Sequence, residues 1–132
     1  MKAANNQQPI GMAMKSDLED RIVKFAARCV KVCGALPIRK IGSSNYADQL
    51  FRSATGVAAN YAEATEAESR KDFIHKLKIA MKELSESRVW LKLIGESEYV
   101  AKAKLTNLIA ESIELTKILS SSVITARNRG DE

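Results

Sequence analysis

Phe73, Leu77, Ala80, Leu84, Ser87, Leu91 and Ile94 recur at alternating steps of four and three residues. Such spacing averages about 3.5 residues, slightly under one α-helical turn, so the side chains form a single seam along one helix. That seam stays buried only if another helix wraps against it with a left-handed crossing. The stretch therefore demands partner helices with apolar stripes of their own, and the rest of the chain supplies them.

Upstream, Leu18, Ile22, Phe25, Ala26, Cys29 and Cys33 trace one stripe, and Gly34 and Pro37 close it. Ser16 and Glu19 have the spacing of a capping box, which places the helix start at Ser16. Residues 38–43 form a connection, and a second helix is expected over about residues 45–68. Ser69 with Asp72 makes a second capping box, so the third helix follows almost at once. Met81 and Trp90 flank its seam, and Gly95 ends it. The last helix carries Leu105, Leu108, Ile109, Ser112, Leu115, Thr116, Leu119 and Val123, and should fray from Arg127. Short connections place successive helices side by side and antiparallel. The expectation is an all-α, antiparallel up-down-up-down four-helix bundle over residues 15–127. Residues 1–14 read as a disordered leader and 128–132 as a flexible tail.

Composition narrows the function classes. The chain has 132 residues, enough for one domain with its own core. No apolar run approaches the roughly 20 residues that span a bilayer, and the first residues lack the layout of a secretory signal. No membrane role is expected, and cytoplasm is the default location. Cys29 and Cys33 are four apart on one helix, poor geometry for a disulfide, and read as buried thiols. With His75 the single histidine, neither a metal site nor a catalytic triad can be assembled from these residue types. No phosphate-binding glycine loop is present, and no cofactor is expected.

The second helix has an unusual polar side. Gln49, Arg52, Ser53, Gly56, Asn60 and Glu63 lie along it, opposite Ala47, Phe51, Ala54, Ala58, Tyr61 and Thr65. A face that is merely solvated normally carries several Lys and Glu and no glycine, since glycine costs a helix about 1 kcal/mol. This side is expected to be covered, with Gly56 admitting a close neighbouring backbone. Arg52 and Glu63 are about 16 Å apart along the axis, too far to pair within their helix.

The run Gln49-Leu50-Phe51-Arg52-Ser53-Ala54, continuing through Gly56 and Asn60 to Glu63-Ala64, resembles the second-helix signature of the four-helix-bundle family named after intervening sequences of bacterial 23S rRNA. Ser69-Arg70-Lys71-Asp72-Phe73-Ile74 resembles that family's entry to the third helix. Ala80, Leu84 and Glu86 fall where its pattern places them, and Glu98-Tyr99-Val100 through Lys117-Ile118-Leu119 resembles its fourth helix. The likeness spans about residues 17–125. Ala58 stands where a proline is common, and Ala64 where a glycine is. The resemblance implies a bundle that assembles into closed homo-oligomeric rings, typically pentamers. A distantly similar bundle, the accessory protein of diversity-generating retroelements, binds nucleic acid and a reverse transcriptase. It transfers no catalytic residue. Gln49, Arg52, Asn60, Glu63 and Glu86 match the family's recurrent polar positions and are expected to form a structural network at a helix or subunit contact.

Charge is distributed unevenly. Residues 15–40 hold seven Lys/Arg against three Asp/Glu, residues 70–92 repeat that ratio, and residues 43–68 hold one against four. Arg21, Lys24, Arg28 and Lys31 share one sector of the first helix, and Lys71, His75, Lys78 and Lys82 share another on the third. Stripes of this kind suit the phosphates of a polyanion and also suit simple solvation. No aromatic is interleaved, which argues against a base-stacking platform. The sequence thus points to a non-enzymatic assembly or adaptor protein with RNA or another nucleic acid as leading partner. The competing readings are a scaffold for another polypeptide and a bundle enzyme or cofactor carrier.

Overall fold

The computed structural model describes residues 10–130, with side chains over residues 17–129. Four helices run in sequence: α1 (Ile10–Ala35), α2 (Ser43–Thr65), α3 (Arg70–Glu96) and α4 (Lys102–Gly130). Successive helices pack on one another, α1 meets α4 more lightly, and α1 with α3 and α2 with α4 are the diagonal pairs, whose backbones do not approach closely. This is the all-α, up-down-up-down bundle expected from the stripes. No described helix is long and apolar enough to cross a membrane.

The core is the sum of the stripes. Ile22, Phe25 and Cys29 from α1, Leu50, Ala54 and Val57 from α2, and Leu105, Leu115 and Leu119 from α4 are all buried. From α3, every seam residue except half-buried Phe73 is sealed from solvent. Ser87 fits this apolar seam because its hydroxyl meets that of Ser53 at 2.8 Å, satisfying both polar groups inside the α2–α3 contact. Phe51 corrects the sequence assignment of the apolar side of α2: it stands 51% exposed at the margin of the bundle.

Helix ends differ from expectation in instructive ways. The Ser69 hydroxyl accepts from the Asp72 amide at 3.0 Å, so the predicted cap of α3 is present. Helix α1 starts at Ile10 rather than Ser16, which places Ser16 inside the helix and not at its start. The leader expected over residues 1–14 therefore contributes its last residues to a helix, while its residues 1–9 lie outside the described chain. Helix α2 begins at Ser43, two residues early, because Gly42 turns the chain with φ of 80° and Ser43 Oγ donates to Pro37 O at 2.6 Å. Such a positive φ is easy for glycine and costly for other residues. Helix α2 also ends sooner than expected, at Thr65. Helix α4 continues through Arg127 to Gly130; residues 131–132 of the expected tail are outside the described chain.

Tyrosines tie the two connections at one end of the bundle. Tyr46 packs edge-on against Tyr99 at 5.6 Å, and its hydroxyl bonds Ser97 Oγ at 2.8 Å. The Tyr99 hydroxyl donates to Ile41 O at 2.6 Å, and Lys40 Nζ sits 5.4 Å above its ring.

Candidate functional site

The polar side of α2 runs along α3 of the same chain, which buries Ser53 and half-covers Gln49, Gly56 and Asn60 but leaves Arg52 and Glu63 exposed, so the expected cover is only partial. Arg52 reaches Glu83 at 3.5 Å and bonds Glu86, while its Nη2 also donates to Gln49 Oε1 at 3.5 Å. Glu63 is taken by Lys76 at 2.6 Å, and Asn60 Nδ2 turns back to Gly56 O at 2.8 Å. The residues read from sequence as one network thus divide into an Arg52–Gln49–Glu83–Glu86 group, a Glu63–Lys76 pair and a self-contained Asn60. Lys76 and Glu83 went unnoticed in the sequence. Their position facing α2 was a signal, but their partners across the seam depend on the register between helices.

Gly56 has a different neighbour from the one expected. A Cβ placed there would stand 2.3 Å from Glu83 Oε2, so the close approach is a carboxylate and not a backbone. A carboxylate at the tip of a flexible side chain can move aside. Gly56→Ala is therefore expected to shift the thermal midpoint by only a few degrees, since the regained helix propensity of about 1 kcal/mol offsets a weakened exposed ion pair. A differential-scanning measurement showing a loss above 10 °C would mean that something more rigid faces Gly56.

The basic stripes divide as well. Arg21 forks onto Glu111 of α4, with Nε at 2.7 Å and Nη2 at 2.9 Å, and this contact raises its pKa further. Lys24, Arg28, Lys31, Lys71, His75, Lys78 and Lys82 are exposed and have no ion-pair partner among the described residues. The two stripes stand on diagonal helices, so a single subunit does not join them into one surface.

The family's sequence profile, that of the 23S rRNA-intervening sequence protein, matches residues 15–121. The chain belongs to this family. A solved structure of similar fold is described as a protein with unknown function from the S23 ribosomal protein family of Bacteroides thetaiotaomicron. It is 34% identical, with a TM-score of 0.73 over 80% of this chain and 97% of that one. No curated protein matches. Arg52 and Glu86, expected at a helix or subunit contact, are bonded to each other within one subunit.

Other chemistry is sparse in this family member. Among the described residues no group of three or more His, Cys, Asp and Glu is arranged to hold a metal ion. Burial pushes the Cys29 thiol up from 9.0 to about 12, the protonated and unreactive form at neutral pH. Cys33 is half-buried, donates to Ala47 O at 3.4 Å, and is likewise raised by burial. A cleft of about 1120 Å³ lies between α1 near Asp17–Arg21, the last turns of α4 and the α2–α3 connection. Leu18, Tyr61, Phe73 and Ile118 form its apolar wall, and no histidine or cysteine lines it.

Proposed function

We propose that this protein is a non-enzymatic, homo-oligomeric assembly module that binds RNA or another nucleic acid through its basic helix faces. One observation carries the nucleic-acid half. Of the eight residues in the two stripes, seven are exposed without a carboxylate partner among the described residues, and they stand in two rows at helical spacing. Unpaired cations at helical spacing release counterions when they meet phosphates, and a ring of subunits would multiply the effect.

Anisotropy of a labelled structured RNA, titrated across a salt series, tests this reading. Replacing Lys24, Arg28, Lys78 and Lys82 together by alanine is expected to weaken binding and flatten the log–log salt slope, by close to one unit for each of the four that touches a phosphate. Binding and slope equal to those of the unaltered protein would remove the nucleic-acid half.

The assembly half, with a pentameric ring as the expected form, draws support from Ile38 and Ile41. Both are 90% exposed on the α1–α2 connection. Aliphatic side chains so bare at a loop tip favour contact with another polypeptide, a second copy of this chain included. The same observation keeps a protein-binding scaffold as the second reading. Light-scattering mass with and without nuclease separates them. An oligomer that persists after nuclease supports the assembly half, and a lone subunit at micromolar concentration overturns it.

A further inference from the structure

Arg88 of α3 was not among the basic residues singled out by sequence. It lies half-buried in the α3–α4 seam, where Nε donates to Ser112 Oγ at 2.8 Å and Nη2 to Thr116 Oγ1 at 3.0 Å and to Ser112 O at 3.3 Å. All of these acceptors are neutral. They hold the guanidinium plane in place but leave its charge uncancelled, and no carboxylate pairs with it among the described residues. The nearby acids are committed elsewhere: Glu83 and Glu86 to Arg52, Glu111 to Arg21, Glu96 to Lys102 and Glu114 to Lys117. A partly desolvated cation without a counterion is costly unless an anion arrives from outside.

The surroundings suit such an anion. Lys78, Ser85 and Lys92 follow one another at steps of seven, nearly in line along α3, and all three are exposed. Lys82 lies on the neighbouring row, and Arg88 falls three residues after Ser85 and four before Lys92. Together they make a cationic ridge about 21 Å long beside the α4 hydroxyls. Lysines there supply mobile charge. Arg88 differs because Nε and Nη2 hold its plane against α4, which leaves Nη1, without a partner among the described residues, as a donor of fixed direction for a phosphate oxygen.

We propose that the α3–α4 ridge is an oxyanion-binding site for the phosphodiester backbone, with Arg88 as its fixed hydrogen-bonding group and Lys78, Lys82 and Lys92 as flanking charges. The site rests on the nucleic-acid reading above and places the contact on α3–α4 rather than on the diagonal α1 stripe.

The test uses anisotropy of a labelled RNA hairpin at low salt with the full-length protein. Arg88→Lys, which keeps the charge and loses the fixed Nη1 donor, is expected to weaken binding about tenfold, as for one charge-assisted hydrogen bond. Lys78→Ala/Lys82→Ala/Lys92→Ala is expected to weaken binding and flatten the salt slope. Lys24→Ala/Arg28→Ala/Lys31→Ala should bind nearly as well as the unaltered protein. Circular dichroism checks that Arg88→Lys remains folded; if it does not, the exposed triple variant on α3 decides. An unaltered protein that binds no hairpin overturns the nucleic-acid reading and this site with it. If the unaltered protein binds but the α3 variants match it, or only the α1 triple loses affinity, this site alone is overturned.

Discussion

Between pH 9 and 12 the bundle is expected to lose a large part of its stability. Cys29 is sealed in the core, and burial holds its thiol protonated up to about 12, against 9.0 in the ordinary state. Tyr61, 5% exposed, is raised by burial from 10.0 to about 12. Both groups are neutral when protonated, so below pH 9 folded and unfolded chains bind the same protons and stability is complete. As pH rises, the unfolded chain releases these protons first, and stability falls until the folded-state values are reached. At about 1.4 kcal/mol per unit, the loss is on the order of 4 kcal/mol for the thiol and 3 kcal/mol for the phenol. Lys76 and Lys102, whose pKa values are raised by Glu63 and Glu96, act in the same direction. Native stability of about 5–15 kcal/mol leaves little margin against such a loss. Urea titrations under reducing conditions at pH 8, 9, 10 and 11 measure it. Cys29→Ala should reduce the slope by about one proton between pH 9 and 11; a flat profile would mean that neither group is buried in solution.

Leu84→Ala is expected to cost about 2–5 kcal/mol, lowering the thermal midpoint by on the order of 10–20 °C. Leu84 is fully buried at the middle of the α3 seam, where a cavity has little room to collapse. Val89, five residues on and 53% exposed, provides the internal control. Val89→Ala should change stability by about 0.5 kcal/mol or less. Calorimetry on the two variants checks which face of α3 is buried, because turning the helix by about half a revolution would exchange their effects.

Much of the fold was legible because helical periodicity is a local property. The Phe73-to-Ile94 spacing needed no tertiary information to mark a seam, and Ser69 needed only Asp72 three residues on to mark a helix start. The failures were also physical. Ser16 and Glu19 carry a cap signal, yet α1 runs on past them to Ile10, since a capping pattern inside a helix-compatible stretch does not by itself stop a helix. Arg127 belongs to a charged tail by composition, but α4 continues to Gly130, with Arg127 and Arg129 in its last turn where positive charge suits the helix dipole.

The candidate sites were less legible, because pairing across helices depends on register. Arg21 looked equivalent to Lys24 and Arg28 until Glu111 of α4, 90 residues away in sequence, claimed it. Gly56 announced a close neighbour but could not say that it was the Glu83 carboxylate. Arg88 gave no signal of its own, since its distinction comes entirely from Ser112 and Thr116 opposite it.

The sequence by itself determined four amphipathic helices, their order and the apolar stripe each would bury, because each depends on residues within a turn or two of one another. Only the tertiary structure decided which cations are neutralised and which remain available. Charge compensation is set by distances of a few ångströms between helices, and those distances exist only after the seams have closed.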